Sequence, residues 1–324
     1  FVSYETEDGG VSAQETVPVS GGAATFGLTS AAKSKDYTGI DDGDKNSTEG
    51  SVIYMPARNN GWGTLLFEDL WPAYGDYDFN DMVVNYKVQL YMNNKNKVDA
   101  MLIGVRVKAV GGSLPYDLYL SLQGVKGGEI DQIEPYHSEN AHKDAALVAL
   151  NSANNVKNAA VLKFENIRPN ANKPAGAIYL NTEEGYEMAD DDLVYVSYLV
   201  SFRNSIAYTA LSFDTFDFYL GRTRESDGRR MEIHMGGFKP SIDALSDYNA
   251  IQQGNSNIDN AARPYYSNDN LVWAINIPSD IRHGYERVDF MQAYPQFKDW
   301  AQSGGTQAHD WYEKGVRSKL VTKR

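Results

Sequence analysis

Leu65-Leu66-Phe67-Glu68-Asp69-Leu70-Trp71-Pro72-Ala73-Tyr74-Gly75-Asp76-Tyr77-Asp78-Phe79-Asn80-Asp81-Met82-Val83-Val84 runs as strand, acidic loop and strand. Side-chain oxygens at Asp76, Asp78 and Asn80 alternate with the rings of Tyr77 and Phe79. In a loop that folds back on itself this spacing turns three oxygens to one point, as in loops that cage a hard cation, and leaves the rings to anchor the loop on a core. Glu68 and Asp69, upstream across a Trp-Pro-x-x-Gly turn, are placed to close the cage from the preceding strand, and Asp81 leads into the next one. Five carboxylates and an amide within fourteen residues repel one another unless a cation or several N–H donors offset them. The loop is not an EF-hand, because Asp81 and Lys87 stand where that loop needs Gly and a bidentate Glu. The expectation is a Ca²⁺ site drawn from Glu68, Asp69, Asp76, Asp78, Asn80 and Asp81. The competing reading is an acidic turn whose carboxylates accept backbone N–H bonds.

Outward from this loop, strand signals dominate. Met82 to Tyr91 is strand-like. Met101, Ile103, Val105, Val107 and Ala109 fall on one face of the next run, and Tyr116, Leu118, Leu120 and Leu122 on one face of the run after. With Asn93 to Lys97 and Gly111-Gly112-Ser113 as turns, residues 82–122 are predicted to form a three-stranded antiparallel meander. Further strands are predicted at 161–165, 193–202, 211–220, 231–235 and 271–277. A short helix is predicted at 145–150, a long polar loop from Ile242 to Pro264, helical spacing at 287–294 and one more turn from Phe297 to Ala301. Many short strands with few peripheral helices predict an all-β, mainly antiparallel fold, a β-sandwich or jelly-roll-like architecture. Residues 1–50, rich in Gly, Ser, Thr and Ala, are expected to be an extended arm or linker, and residues 51–324 one β domain. The Asp42, Asp44, Asn46 alternation lies in that arm without apolar anchors and reads as linker.

The chain of 324 residues carries 43 acidic and 30 basic side chains, a formal charge of −13, which opposes binding to nucleic acid or anionic lipid. There is no cysteine, so disulfides and thiolate metal sites are excluded. The 22 tyrosines suit an extracellular β protein, since Tyr combines packing area with a polar tip. No apolar run approaches the length of a membrane-spanning helix. Any signal peptide or lipid anchor is expected upstream of Phe1.

Three blocks of this chain resemble the LruC domain of bacterial cell-surface proteins. The first comprises Phe67-Glu68-Asp69, Gly75 to Asp81 and Val83-Val84. The second is Glu232-Ile233-His234-Met235-Gly236-Gly237-Phe238-Lys239-Pro240, and the third is Ala293 to Trp300 followed by Asp310-Trp311-Tyr312. They occur in order across most of residues 52–315. The resemblance implies an envelope-located, mostly β protein, a lipoprotein of the bacterial outer membrane surface, of undetermined activity, and it supplies no catalytic residues.

Other candidates are plainer. Glu232 and His234, two apart on a strand, share a face; a structural pair is preferred over an acid/base pair because no nucleophile or third ligand is identifiable. His137 and His142 flank Glu139 at no zinc-motif spacing. Asp190-Asp191-Asp192 reads as a solvated turn, and Lys314 to Arg324 as a loose basic tail. Trp62, Trp71, Trp273, Trp300 and Trp311 are candidates for a sugar-stacking platform, with core packing the preferred reading for most. No nucleophile elbow, phosphate loop, dinucleotide fingerprint or zinc-protease motif is present. The expected function is non-enzymatic: a calcium-stabilised cell-surface protein acting in adhesion, assembly or ligand contact with a surface protein or glycan. The alternative is a carbohydrate-binding or carbohydrate-processing module.

Overall fold

The computed structural model describes residues 2–5, 11–15, 51–56, 60–150, 158–168, 173–255, 258 and 263–322. Most of the arm, including Asp42, Asp44 and Asn46, lies outside the described residues; within it, β1 (Val2–Glu5) pairs antiparallel with β2 (Val11–Glu15). Two further sheets face each other. The first is built on β3 (Ser51–Met55), β4 (Gly63–Phe67), β5 (Met82–Met92) and β6 (Lys97–Ala109). The second begins with β7 (Asp117–Lys126). Next come β8 (Ile130–Glu139), β9 (Ala146–Leu150), β10 (Ala159–Glu165), β11 (Val194–Ala207), β12 (Phe216–Thr223), β13 (Arg230–His234) and β14 (Ala274–Ile277). One sheet runs β14-β4-β5-β6-β11-β8, with β3 beside the far half of β5; the other runs β13-β12-β7-β10-β9. Their strand pairs are antiparallel. The fold is a β-sandwich.

Strand alternation sets the core. Val84, Tyr86, Val88 and Leu90 of β5 and Met101, Ile103, Val105 and Val107 of β6 meet Leu118, Leu120 and Leu122 of β7 and Phe216 and Phe218 of β12 between the sheets. Ala109 departs from the predicted face. Val83 pairs with Ala109 but Val84 with Val107, so Lys108 is an extra residue, and such a bulge reverses the side chains beyond it. Ala109 therefore joins Leu66 and Val83, which alternation already turns outward, in a second core on the outer face of the first sheet.

The predicted meander ends one strand early, because β7 crosses to the opposite sheet. Val110 bridges to Leu180 instead of turning back. Gly111 and Gly112 donate to the carbonyls of Asn80 and Asp81 at 2.9 and 3.1 Å, and a Cβ on either would overlap Asn80 Oδ1 or Asp69 Oδ2. The glycines serve close packing of two backbones, not a hairpin. The helix predicted at 145–150 is instead the edge strand β9, where five ladder pairs with β10 outweigh the propensity of Ala and Leu. The predicted loop from Ile242 holds α1 (Ile242–Gln253), N-capped by Ser241 Oγ, which accepts from Ala244 N at 3.2 Å.

The second core is sealed by the C-terminal segment. α2 (Phe290–Ala293), α3 (Phe297–Gln302) and Trp311 pack their rings against Tyr77 and Phe79 of the acidic loop. The basic C-terminus is not a loose tail: Leu320 and Val321 are buried, and Val321 N donates to His283 O at 3.0 Å.

Candidate metal centre

Glu68 leaves β4 fully buried, its N–H donating to Trp273 O at 2.9 Å. The loop that follows returns by left-handed residues at Gly75, Tyr77 and Phe79, with φ of 63°, 54° and 57°. At a non-glycine residue this conformation costs roughly 1–2 kcal/mol. Burial of both rings in the second core offsets that cost, with Tyr77 OH donating to Val272 O at 2.8 Å and the Phe79 ring tilted against Phe290 at 4.9 Å. The intervening acidic side chains then turn the other way.

Ligand atoms of Glu68, Asp76 and Asp78 lie within 4.8 Å of one another. Asp78 Oδ1 accepts from Asn80 N at 3.1 Å and Oδ2 from Arg287 N at 2.7 Å. Glu68 Oε2 accepts a long 3.3 Å bond from Phe79 N, while Oε1 is buried with no donor among the described residues. Asp81 stands beside this group; its Oδ2 accepts from Asp69 N at 2.7 Å, and its charge acts on Glu68. Burial, then the charges of Asp81 and Asp78, push the Glu68 carboxyl far up; burial and Asp76 push Asp78 up to about 8. The half-buried Glu286, at the far end of the sequence, is pushed up to about 7 by burial and then Asp76. The basin concentrates negative charge that only protons or a cation can balance.

Of the six predicted ligands the structure brings together Glu68, Asp76 and Asp78, with Asp81 adjoining. Asp69 turns to the β6–β7 connection, where it takes the Leu114 N–H and faces Arg168 and Arg222. The Asn80 amide donates to Gly284 O at 3.4 Å and sets its oxygen against Gly111. Glu286 was beyond the reach of sequence reasoning, lying in no motif and some two hundred positions away.

The Glu232–His234 pair gains Asp217 from β12 as a third member. His234 Nδ1 lies 2.7 Å from Asp217 Oδ2 and Nε2 lies 3.0 Å from Glu232 Oε2; Ser241 and Arg230 also hold Glu232. All three members are buried, which makes this a structural unit. His137 pairs with Glu139 at 2.9 Å, whereas His142 sits apart on the Arg168 carbonyl. Asp190 pairs with Arg106 at 3.1 Å. Trp71, Trp273, Trp300 and Trp311 are buried, and the half-buried Trp62 ring carries Lys87 Nζ at 4.5 Å and Arg106 at 4.9 Å; none of the five forms an open stacking platform.

Residues 96–312 match a family described as a domain of unknown function, DUF4842. No curated protein matches the sequence. In fold, the chain is similar to the crystal structure of a "Putative lipoprotein from Bacteroides ovatus", at 20% identity and a TM-score of 0.69, over 99% of this chain and 89% of that one. This likeness concerns fold alone. The acidic loop precedes the family match, while Glu286, the His234 unit and the C-terminal segment up to Tyr312 fall inside it. The match spans more than half of the sequence, and the chain belongs to the DUF4842 family.

Proposed function

We propose that this chain is a non-enzymatic β-sandwich protein of the bacterial cell surface, stabilised by Ca²⁺ in the acidic loop and acting in adhesion, assembly or ligand contact. The observation that carries the calcium reading is Glu68, whose Oε1 is buried without a donor among the described residues while its carboxylate brings an oxygen within 4.8 Å of those of Asp76 and Asp78. A buried carboxylate oxygen left bare costs several kcal/mol, of the order of 1–3 or more, and a cation removes that cost. The residues fit such an ion: the donors are all hard oxygens, with no imidazole or thiolate among them. Glu68, Asp76 and Asp78 come from two sides of a loop, which suits the adaptable shell of Ca²⁺ better than the strict octahedron of Mg²⁺. No helix of the described residues is long and apolar enough to cross a membrane. The lipoprotein name of the structural neighbour and the three LruC-like blocks support an envelope location with a lipid anchor.

Thermal melts with Ca²⁺ and with chelator test this reading. At a free Ca²⁺ concentration a hundredfold above Kd, binding adds about 2.7 kcal/mol, so the Tm rises. Asp78→Ala abolishes the rise by removing a central oxygen, whereas Asp131→Ala, on the exposed surface of β8, preserves it. Terbium luminescence sensitised by the neighbouring Tyr74 and Tyr77 gives a second readout. Equal Tm values in Ca²⁺ and chelator would return the loop to a hydrogen-bonded turn.

A further inference from the structure

A cavity of about 680 Å³ opens at the end of the sandwich where β6 passes to β7, on the far side of that connection from the acidic loop. Its size is that of a small-molecule site. Four charged side chains line it, two of each sign, and the charges are largely spent within the protein. Arg168 donates from Nη1 to the Leu114 and Tyr116 carbonyls and from Nη2 to Gly112 O, with Asp69 behind it. Lys173 Nζ donates to Ile178 O at 2.5 Å. Asp117 is paired with Lys163 at 3.0 Å. Lys173 and Asp144, which make no ion pair among the described residues, are of opposite sign, so the lining carries no net charge to select an anion.

What the walls offer a ligand is a mixture of donors and acceptors beside apolar surface. Asp144 makes no ion pair among the described residues, and its carboxylate accepts. His142 uses Nε2 on the Arg168 carbonyl, which leaves Nδ1. The Tyr179 and Ser113 hydroxyls can both donate and accept. Pro115 and Ile178, the latter 66% exposed, supply apolar surface at the rim. A ligand that matches this set needs hydroxyls for the carboxylate and the imidazole, ether or hydroxyl oxygens for the Tyr179 and Ser113 hydroxyls, C–H faces for Tyr179 and Ile178, and no net charge. We propose that the cavity binds a neutral saccharide of one or two rings. The glycan contact then lies in this cavity and not on the tryptophans.

Saturation-transfer NMR and calorimetry on the full chain test the proposal with glucose, galactose, mannose, N-acetylglucosamine, maltose and cellobiose, against glucuronate, glucosamine and glucose 6-phosphate. At least one neutral sugar binds, and Asp144→Asn and Tyr179→Ala each weaken it by about tenfold or more. Glu134→Gln, exposed on β8, leaves it unchanged, and melting curves show each variant folded. The proposal is overturned if no neutral sugar binds, if only charged sugars bind, or if both cavity substitutions leave the affinity intact. Measurements in Ca²⁺ and in chelator keep this outcome separate from the calcium reading, whose own test is the melting shift.

Discussion

His234 meets a carboxyl oxygen on each ring nitrogen, at 2.7 Å to Asp217 and 3.0 Å to Glu232; with both carboxyls ionised, both nitrogens carry hydrogen and the ring is an imidazolium. Burial acts to lower its pKa, but Asp217 and then Glu232 reverse this and raise it to about 9, from an ordinary 6.5. A group whose pKa is raised on folding contributes stability that is complete below its unfolded pKa and lost as pH rises through the folded one. The window is therefore pH 6.5 to 9, and the loss across it is on the order of 3 kcal/mol. Urea unfolding at stepped pH should show this decline. His234→Gln should flatten it while destabilising the protein at pH 7 by roughly 3–5 kcal/mol, because the buried Asp217 loses its cation and Glu232 keeps only Arg230; equal pH slopes in the two proteins would contradict the assignment. The sequence shows Glu232 and His234 on one strand face, since alternation alone places them there. Asp217 is hidden in it, because only the pairing of Tyr219 with His234 brings the neighbouring strand's carboxylate within reach.

At the scale of elements, the connection from β6 to β7 decides both the topology and the site. Gly-Gly-Ser reads as a turn in either a meander or a crossover, and what distinguishes them is a contact with Asn80 and Asp81 that no local pattern encodes. The alternation of β5, β6 and β7 made the sandwich legible. The bulge at Lys108 and the strand β9 were not, because each is set by a partner strand. The helix α1 escaped for a different reason: it buries Ala244, Tyr248 and Gln252 but exposes Ile242 and Leu245, so it lacks a clear apolar stripe. The crossover gives a direct prediction. Gly111→Ala should cost about 1–3 kcal/mol, since the added methyl drives into Asn80 and its backbone. It should also reduce the calcium-dependent rise in Tm by displacing the loop. Gly128→Ala, with open space around it, should change stability by no more than about 0.5 kcal/mol. Equal stabilities for the two variants would mean that the close approach at Gly111 is not a constraint.

Across the whole molecule, the acidic loop is the joint between the sandwich and its C-terminal segment. Asp78 accepts from Arg287 N, Asn80 donates to Gly284 O, and Phe290 N donates to Tyr77 O at 2.8 Å. The rings of Phe79, Phe290, Phe297 and Trp311 continue the joint as one aromatic cluster. This explains why sequence blocks more than two hundred residues apart share one structure: Tyr77 and Phe79 anchor in a core that the block from Ala293 to Trp311 supplies. A cation that orders the loop must then also hold the segment, because the same Asp78 carboxylate serves both. Hydrogen exchange should accordingly show residues 284–293 better protected in Ca²⁺ than in chelator, with β10 and β12 of the second sheet unchanged. Trp311→Ala, which empties the centre of the aromatic cluster at a cost of roughly 3–5 kcal/mol, should raise exchange at 76–81 and weaken terbium binding although it touches no carboxylate. If calcium protects the loop but leaves 284–293 as exchangeable as before, the two are not coupled and the cation stabilises the loop alone.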